Sequence, residues 1–185
     1  MKQKRSSVMT IALIIVGAVL YGVGCFATMN IVIGTITFRP AAFIACAWGI
    51  LFGPWTGGLA AAIGNTFISD VLAGWFGIGG VGGFVGNFIM GFLPALLIRN
   101  AKKIPPTVIW CAISAVLCAA SIALWQEVMG INKFLPMFIS VCVCNIPIVV
   151  IGTPIAVKLL LPRVQKRGLY WKDTGEDSND DDDMK

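Results

Sequence analysis

The feature that most constrains this chain is its succession of apolar runs, the first from Val8 to about Met29, separated by short polar or glycine–proline turns. An apolar run above about 18 residues is long enough to cross a bilayer as a helix. Of the 185 residues, 57% are hydrophobic and 12% charged, too few charges to coat a soluble domain. The expected fold is an all-α integral membrane protein, with one membrane domain over residues 1–172. The segment 173–185 reads as an acidic, disordered tail, because Asp180–Asp183 repel one another and apolar residues are lacking. Lys2, Lys4 and Arg5 precede the first run. That run exceeds a signal-peptide core of about 7–15 residues and its small residues are spread through it, so it reads as a helix that is kept.

Six crossings follow from the turn signals. Helix one runs from Val8 to about Met29, and Asn30–Phe38 is a connector. Helix two runs from Pro40 to Phe52, because proline is favoured in a first turn. Gly53-Pro54 turns into helix three, Trp55 to about Phe76. The glycines at 77, 79, 80, 82 and 83 read as a flexible loop leading into helix four, which ends at Ile98. Helix five is Thr107 to about Met129 and helix six Phe134 to about Leu161. Helix two is short, yet the positive-inside rule needs it. Without it the basic clusters Lys2–Arg5 and Arg99–Lys103 would fall on opposite sides. With six crossings, twelve of the fourteen Lys and Arg residues lie on one side, which makes both termini cytoplasmic and leaves Arg39 and Lys133 outside. The expected location is the cell membrane.

Several chemistries are excluded. There is no histidine, hence no His-based nucleophile pair and no zinc helix, and the six cysteines form no Cys-x-x-Cys pair. No phosphate-binding loop with its lysine is present. Gly77-x-Gly79-x-x-Gly82 matches the dinucleotide fingerprint in letters, but it follows a membrane helix rather than a strand. The chain therefore reads as no enzyme, with no metal and no cofactor. Its basic residues sit at helix ends, where membrane orientation accounts for them without nucleic acid.

Polar residues inside apolar helices are costly unless satisfied, so they mark function or glue. Asn65, Thr66, Ser69 and Asp70 share an arc of about 140° on helix three at 100° per residue. Asn65, Asn87 and Asn145 lie at similar depth, either bonding one another or converging on a ligand. Nearer the outer surface come Arg39, Asp70, Trp75, Trp125, Gln126, Glu127 and Asn132. Flat rings stack on planar molecules, and amides offer both donor and acceptor to a heterocycle edge. The candidate substrate-binding residues are thus Arg39, Asn65, Asp70, Trp75, Asn87, Trp125, Glu127 and Asn145. Small residues at four-residue spacing, such as Ala18-x-x-x-Gly22, Ala60-x-x-x-Gly64 and Gly82-x-x-x-Gly86, indicate tight helix packing.

The run Arg39-Pro40 through Leu51-Phe52-Gly53-Pro54, with Gly57, Gly64-Asn65 and Asp70, resembles the substrate-binding membrane subunits (S components) of energy-coupling factor transporters. The resemblance implies a six-helix subunit that captures a vitamin or related micronutrient at the outer face. It further implies partnership with a membrane coupling subunit and two cytoplasmic ATPases, within the lipid bilayer. The family's Ala-x-x-x-Ala coupling contact on helix one has its nearest counterparts here in Ala12-x-x-x-Val16 and Ala18-x-x-x-Gly22, so Ala12, Ala18 and Gly22 are the implied contacts. Two other readings stand beside this one. The first is a self-sufficient, homo-oligomeric transporter or channel with Asp70 or Glu127 as ion carrier, and the second is a membrane scaffold without ligand.

Overall fold

The computed structural model describes residues 5–29, 31–33, 36–37 and 39–174. Helix α1 (Ser7–Thr28) leads into a small antiparallel hairpin, β1 (Val32–Ile33) and β2 (Ile36–Thr37), which pairs Val32 with Thr37 and Ile33 with Ile36. There follow α2 (Ala42–Phe52), α3 (Pro54–Ile63), α4 (Phe76–Leu97), α5 (Ile104–Val128) and α6 (Phe134–Lys166). A π-helical segment, Gly64–Asp70, continues α3, and a 3₁₀ turn, Trp171–Asp173, follows α6. The fold is all-helical apart from the hairpin. Helices α1, α4, α5 and the span that begins with α6 are long and apolar enough to cross a membrane. Helix α2, with 11 residues, covers only about 16 Å.

The helices run up and down, so the connections gather at two ends. At one end Arg5 donates to the Phe52 carbonyl (2.8 Å), the Thr56 hydroxyl (3.3 Å) and the Leu169 carbonyl (3.3 Å). Lys172 donates to the Ile98 carbonyl there at 2.8 Å. The described chain ends, the α2–α3 turn and the α4–α5 turn therefore meet at this basic end. The hairpin, the α3–α4 turn and the α5–α6 turn lie at the other.

Close backbone contact draws the helices together. A Cβ at Gly49 would collide with the Gly91 carbonyl, one at Gly91 with the Gly57 carbonyl, and one at Gly57 with the Gly49 backbone. Helices α2, α3 and α4 thus touch main chain to main chain. Helix α1 meets the π segment in the same way. A side chain at Gly22 would strike the Gly64 carbonyl, and one at Gly64 the Ala18 carbonyl.

That contact corrects one expectation. Ala18 and Gly22 are buried inside the protein, so neither offers a surface to another subunit. Their small size serves the α1–α3 seam. Ala12 is exposed, on an apolar face with Ile15, Val16, Val19 and Val23.

The segment expected as a glycine-rich loop is also different. Residues 77–83 lie within α4, because Gly82 and Gly86 press the helix backbone onto Ser121 and Cys118 of α5. The one departure within α4 is Gly80, at φ 40°, which breaks the helical path and is open to glycine at little steric cost. The element before this segment is the π-helical Gly64–Asp70 rather than a strand, so the structural context of a dinucleotide fingerprint is not met. Helix α6 runs five residues beyond the expected Leu161. Asp173, placed in the acidic tail, is folded into the 3₁₀ turn that Trp171 anchors by donating to the Ile50 carbonyl at 3.0 Å. The remainder of that tail, 175–185, lies outside the described residues.

Overfilling a packed seam costs about 1–3 kcal/mol, so Gly22→Leu should lower the unfolding temperature in detergent. Ala12→Leu, on the exposed face, should leave it nearly unchanged. Equal melting of the two variants would show that the α1–α3 seam is not packed as described.

Candidate ligand-binding site

Thr66, Ser69, Asn65 and Asp70 are all buried, and the helix that carries them is locally π-helical. On an α-helix, residues five apart point about 140° away from each other. The wider π turn bonds i to i+5 and brings such residues together, and π segments often occur at functional sites. Asn65 Nδ2 accordingly donates to Asp70 Oδ2 at 3.1 Å. Arg39, just before α2, donates through Nη1 to Asn65 Oδ1 at 3.1 Å. A cation and an anion are thus joined through one amide on a single wall.

A second polar knot spans α1 and α4. The Tyr21 hydroxyl donates to Asn87 Oδ1 at 2.5 Å, and Asn87 Nδ2 donates to the Gly83 carbonyl at 2.7 Å. Both functions of this amide are used. The third wall comes from α5, α6 and the turn between them, where Asn132 Nδ2 donates to Gln126 Oε1 at 2.7 Å. Asn145, on α6, is only 7% exposed, yet among the described residues its amide has no hydrogen-bond partner.

These walls enclose a cavity of about 300 Å³ at the end of the bundle opposite the basic residues. Arg39, Asn65, Asp70, Trp75, Asn87 and Asn145 line it, together with Tyr21, Gln126, Asn132 and Ser140. Its charged lining residues are Arg39 and Asp70, so its formal charge balances. Apolar contact comes from Ile78, Ile122, Met137 and Val141. The volume lies at the lower edge of the range of about 300–1,000 Å³ typical for small-molecule sites.

Two expected residues are elsewhere. Trp125 and Glu127 do not line the cavity. Gln126 faces it, and successive side chains on a helix diverge by about 100°. Glu127 consequently points outward and is exposed. Trp125 packs against Gly80 and Gly82, its Nε1 buried and without a hydrogen-bond partner among the described residues. Arg39, which follows the connector, lines the cavity; the connector's side chains at 30 and 32–38 lie outside the described residues.

Tyr21 and Ser140 were not anticipated, although signals existed. A tyrosine hydroxyl within an apolar helix needs a partner. On α6, residues 137, 140, 141, 144 and 145, all lining the cavity, follow the i, i+3, i+4, i+7, i+8 spacing of one helical face.

Comparison with known proteins places the chain in a family without assigning it a role. The model of a family of unknown function, DUF8171, matches residues 8–137, well over half the chain. The chain belongs to the DUF8171 family. It is also similar to curated UPF0397 proteins of several bacteria. One from Vibrio atlanticus is 35% identical over 92 residues, 45% of this chain and 50% of that protein. One from Vibrio vulnificus is 36% identical over 105 residues, 52% of this chain and 54% of that protein. A third, from Photobacterium profundum, is 36% identical over 98 residues, 49% of this chain and 50% of that protein. The DUF8171 chain thus spans about half the length of the curated relatives it matches. No solved structure matches it.

The two asparagines should respond differently to truncation. Asn87→Ala strands the buried Tyr21 hydroxyl, a loss of about 1–3 kcal/mol. Asn145→Ala breaks no side-chain hydrogen bond among the described residues and should cost clearly less than Asn87→Ala. Denaturation of the purified variants in detergent measures both. A large loss at Asn145 would mean that it holds the fold rather than faces a ligand.

Proposed function

We propose that this DUF8171 chain is the substrate-capturing membrane subunit of an energy-coupling-factor-type importer. In this reading it takes up a vitamin-like small molecule at the outer face. The observation that carries the reading is Asn145, a residue only 7% exposed whose amide makes no side-chain hydrogen bond among the described residues and is open to a polar cavity. Its donor and its acceptor are both open to the cavity and can pair with a bound molecule. Around it, Gln126, Asn132 and Ser140 offer further donors and acceptors, while Trp75 supplies a flat ring. Such a mixture of apolar walls and few polar groups suits a small heterocycle.

In this reading the chain crosses the membrane six times with both termini cytoplasmic. The basic end, with Arg5, Arg99, Lys102, Lys103 and Lys172, faces inward, as the positive-inside rule requires. The cavity then opens toward the outside. The sequence contains no ATP-binding loop, so energy would come from two cytoplasmic ATPases through a membrane coupling subunit. The exposed α1 face that carries Ala12, Val16 and Val19 is available for that subunit.

Affinity purification of the tagged chain from native membranes should recover the coupling subunit and both ATPases. Recovery of the chain alone, or only with copies of itself, would overturn the assignment in favour of an independent transporter. Topology is checked separately. A reporter after Lys172 should read cytoplasmic, and a cysteine introduced at Asn132 should be labelled from outside.

A further inference from the structure

At the basic end, a second cavity of about 430 Å³ lies between the α4–α5 turn and α6. Lys102 from the turn and Lys158 from α6 both line it, against walls formed by Ile104, Pro154, Leu161 and Pro162. Lys158 sits eight residues before the last residue of α6, Lys166, roughly 12 Å along the axis at 1.5 Å per residue. Neither ammonium has a hydrogen-bond or ion-pair partner among the described residues. The described carboxylates do not compensate them. Asp70 and Glu127 belong to the far half of the bundle, and Asp173 accepts from Gln165 at 3.2 Å on the rim.

Both lysines are exposed at the cavity, and an ammonium placed beside apolar walls at a membrane surface gains from a counter-anion. Two ammonium groups on one cavity match a single phosphate. The surroundings indicate which phosphate. Ile104, which lines the cavity, is 52% exposed, and Ile155 and Leu159, next in sequence to the lining residues Pro154 and Lys158, are 55% and 60% exposed, so the cavity borders apolar surface. A soluble phosphate or an acidic peptide gains nothing from such a rim, whereas acyl chains do.

We propose that this cavity seats the headgroup of an anionic phospholipid, with its phosphate at Lys102 and Lys158 and its chains along Ile104, Ile155 and Leu159. Basic pockets between membrane helices on the cytoplasmic side bind such headgroups. The inference rests on the membrane-crossing reading above and is independent of what fills the first cavity.

Native mass spectrometry of the full chain, from micelles with equal phosphatidylglycerol and phosphatidylcholine, tests it. The native chain should retain phosphatidylglycerol preferentially. Lys102→Gln/Lys158→Gln should lower that retention roughly 10–30-fold, at one lysine–phosphate contact each. Lys166→Gln/Arg167→Gln, which removes the same charge from the same end outside the cavity, should leave retention unchanged. Equal retention of both lipids, equal loss in both double variants, or full displacement by excess inorganic phosphate would each overturn the proposal. Selective retention in a chain whose position 132 proves cytoplasmic would support the lipid site while contradicting the topology.

Discussion

A polar side chain inside an apolar helix bundle can bond only with its neighbours, and the cavity end of this protein is built around that constraint. Asn65 serves as the joint between Arg39 and Asp70, and it reaches both because the helix widens to π geometry from Gly64 to Asp70. Asn87 is likewise saturated by Tyr21 and Gly83. Where the accounting closes, the amides fix helices relative to one another. Where it stays open, at Asn145, the surplus hydrogen-bonding capacity faces a cavity. The same residue type therefore performs two tasks, separated by whether a partner stands within reach.

Helix packing sets where that cavity can exist. Main-chain contact at Gly49, Gly57 and Gly91 closes the bundle among α2, α3 and α4 on the basic half. On the other half, Gly64 and Gly86 press α3 onto α1 and α4 onto α5. In each case the next residue is an asparagine, Asn65 or Asn87, that lines the cavity. A glycine followed by an amide thus places backbone against one neighbour and a polar group on the cavity side. Association through small residues is how helices pack when the surrounding medium is itself apolar.

Much of the helical layout was legible in the sequence, because apolar run length and glycine–proline turns are strong local signals. The polar stripe of helix three was legible for the same reason, and its four members are buried. Errors arose where a three-dimensional choice decided the matter. Trp125 and Glu127 share the depth of Gln126 but not its face, and depth alone does not separate them. Residues 77–83 read as a loop because glycines disfavour isolated helices, yet they are helical on either side of a kink at Gly80, with Gly82 and Gly86 packed on α5. Ala18 and Gly22 fit an external contact motif equally well as an internal seam, and only the position of Gly64 distinguishes the two. The π turn left no sequence mark that periodicity could read.

The central claim is that the cavity around Asn145 exists to hold a small molecule. Mass spectrometry of compounds released from the purified full chain tests this most directly, with Asn145→Ala prepared in parallel. The account predicts one compound retained at near-stoichiometric level by the native chain. The Asn145→Ala chain, folded and monodisperse, should bind it roughly 5–150-fold more weakly, the equivalent of about 1–3 kcal/mol. Equal retention by both chains would contradict the claim, as would a native chain that releases nothing and is not stabilised by any extract of its own cells.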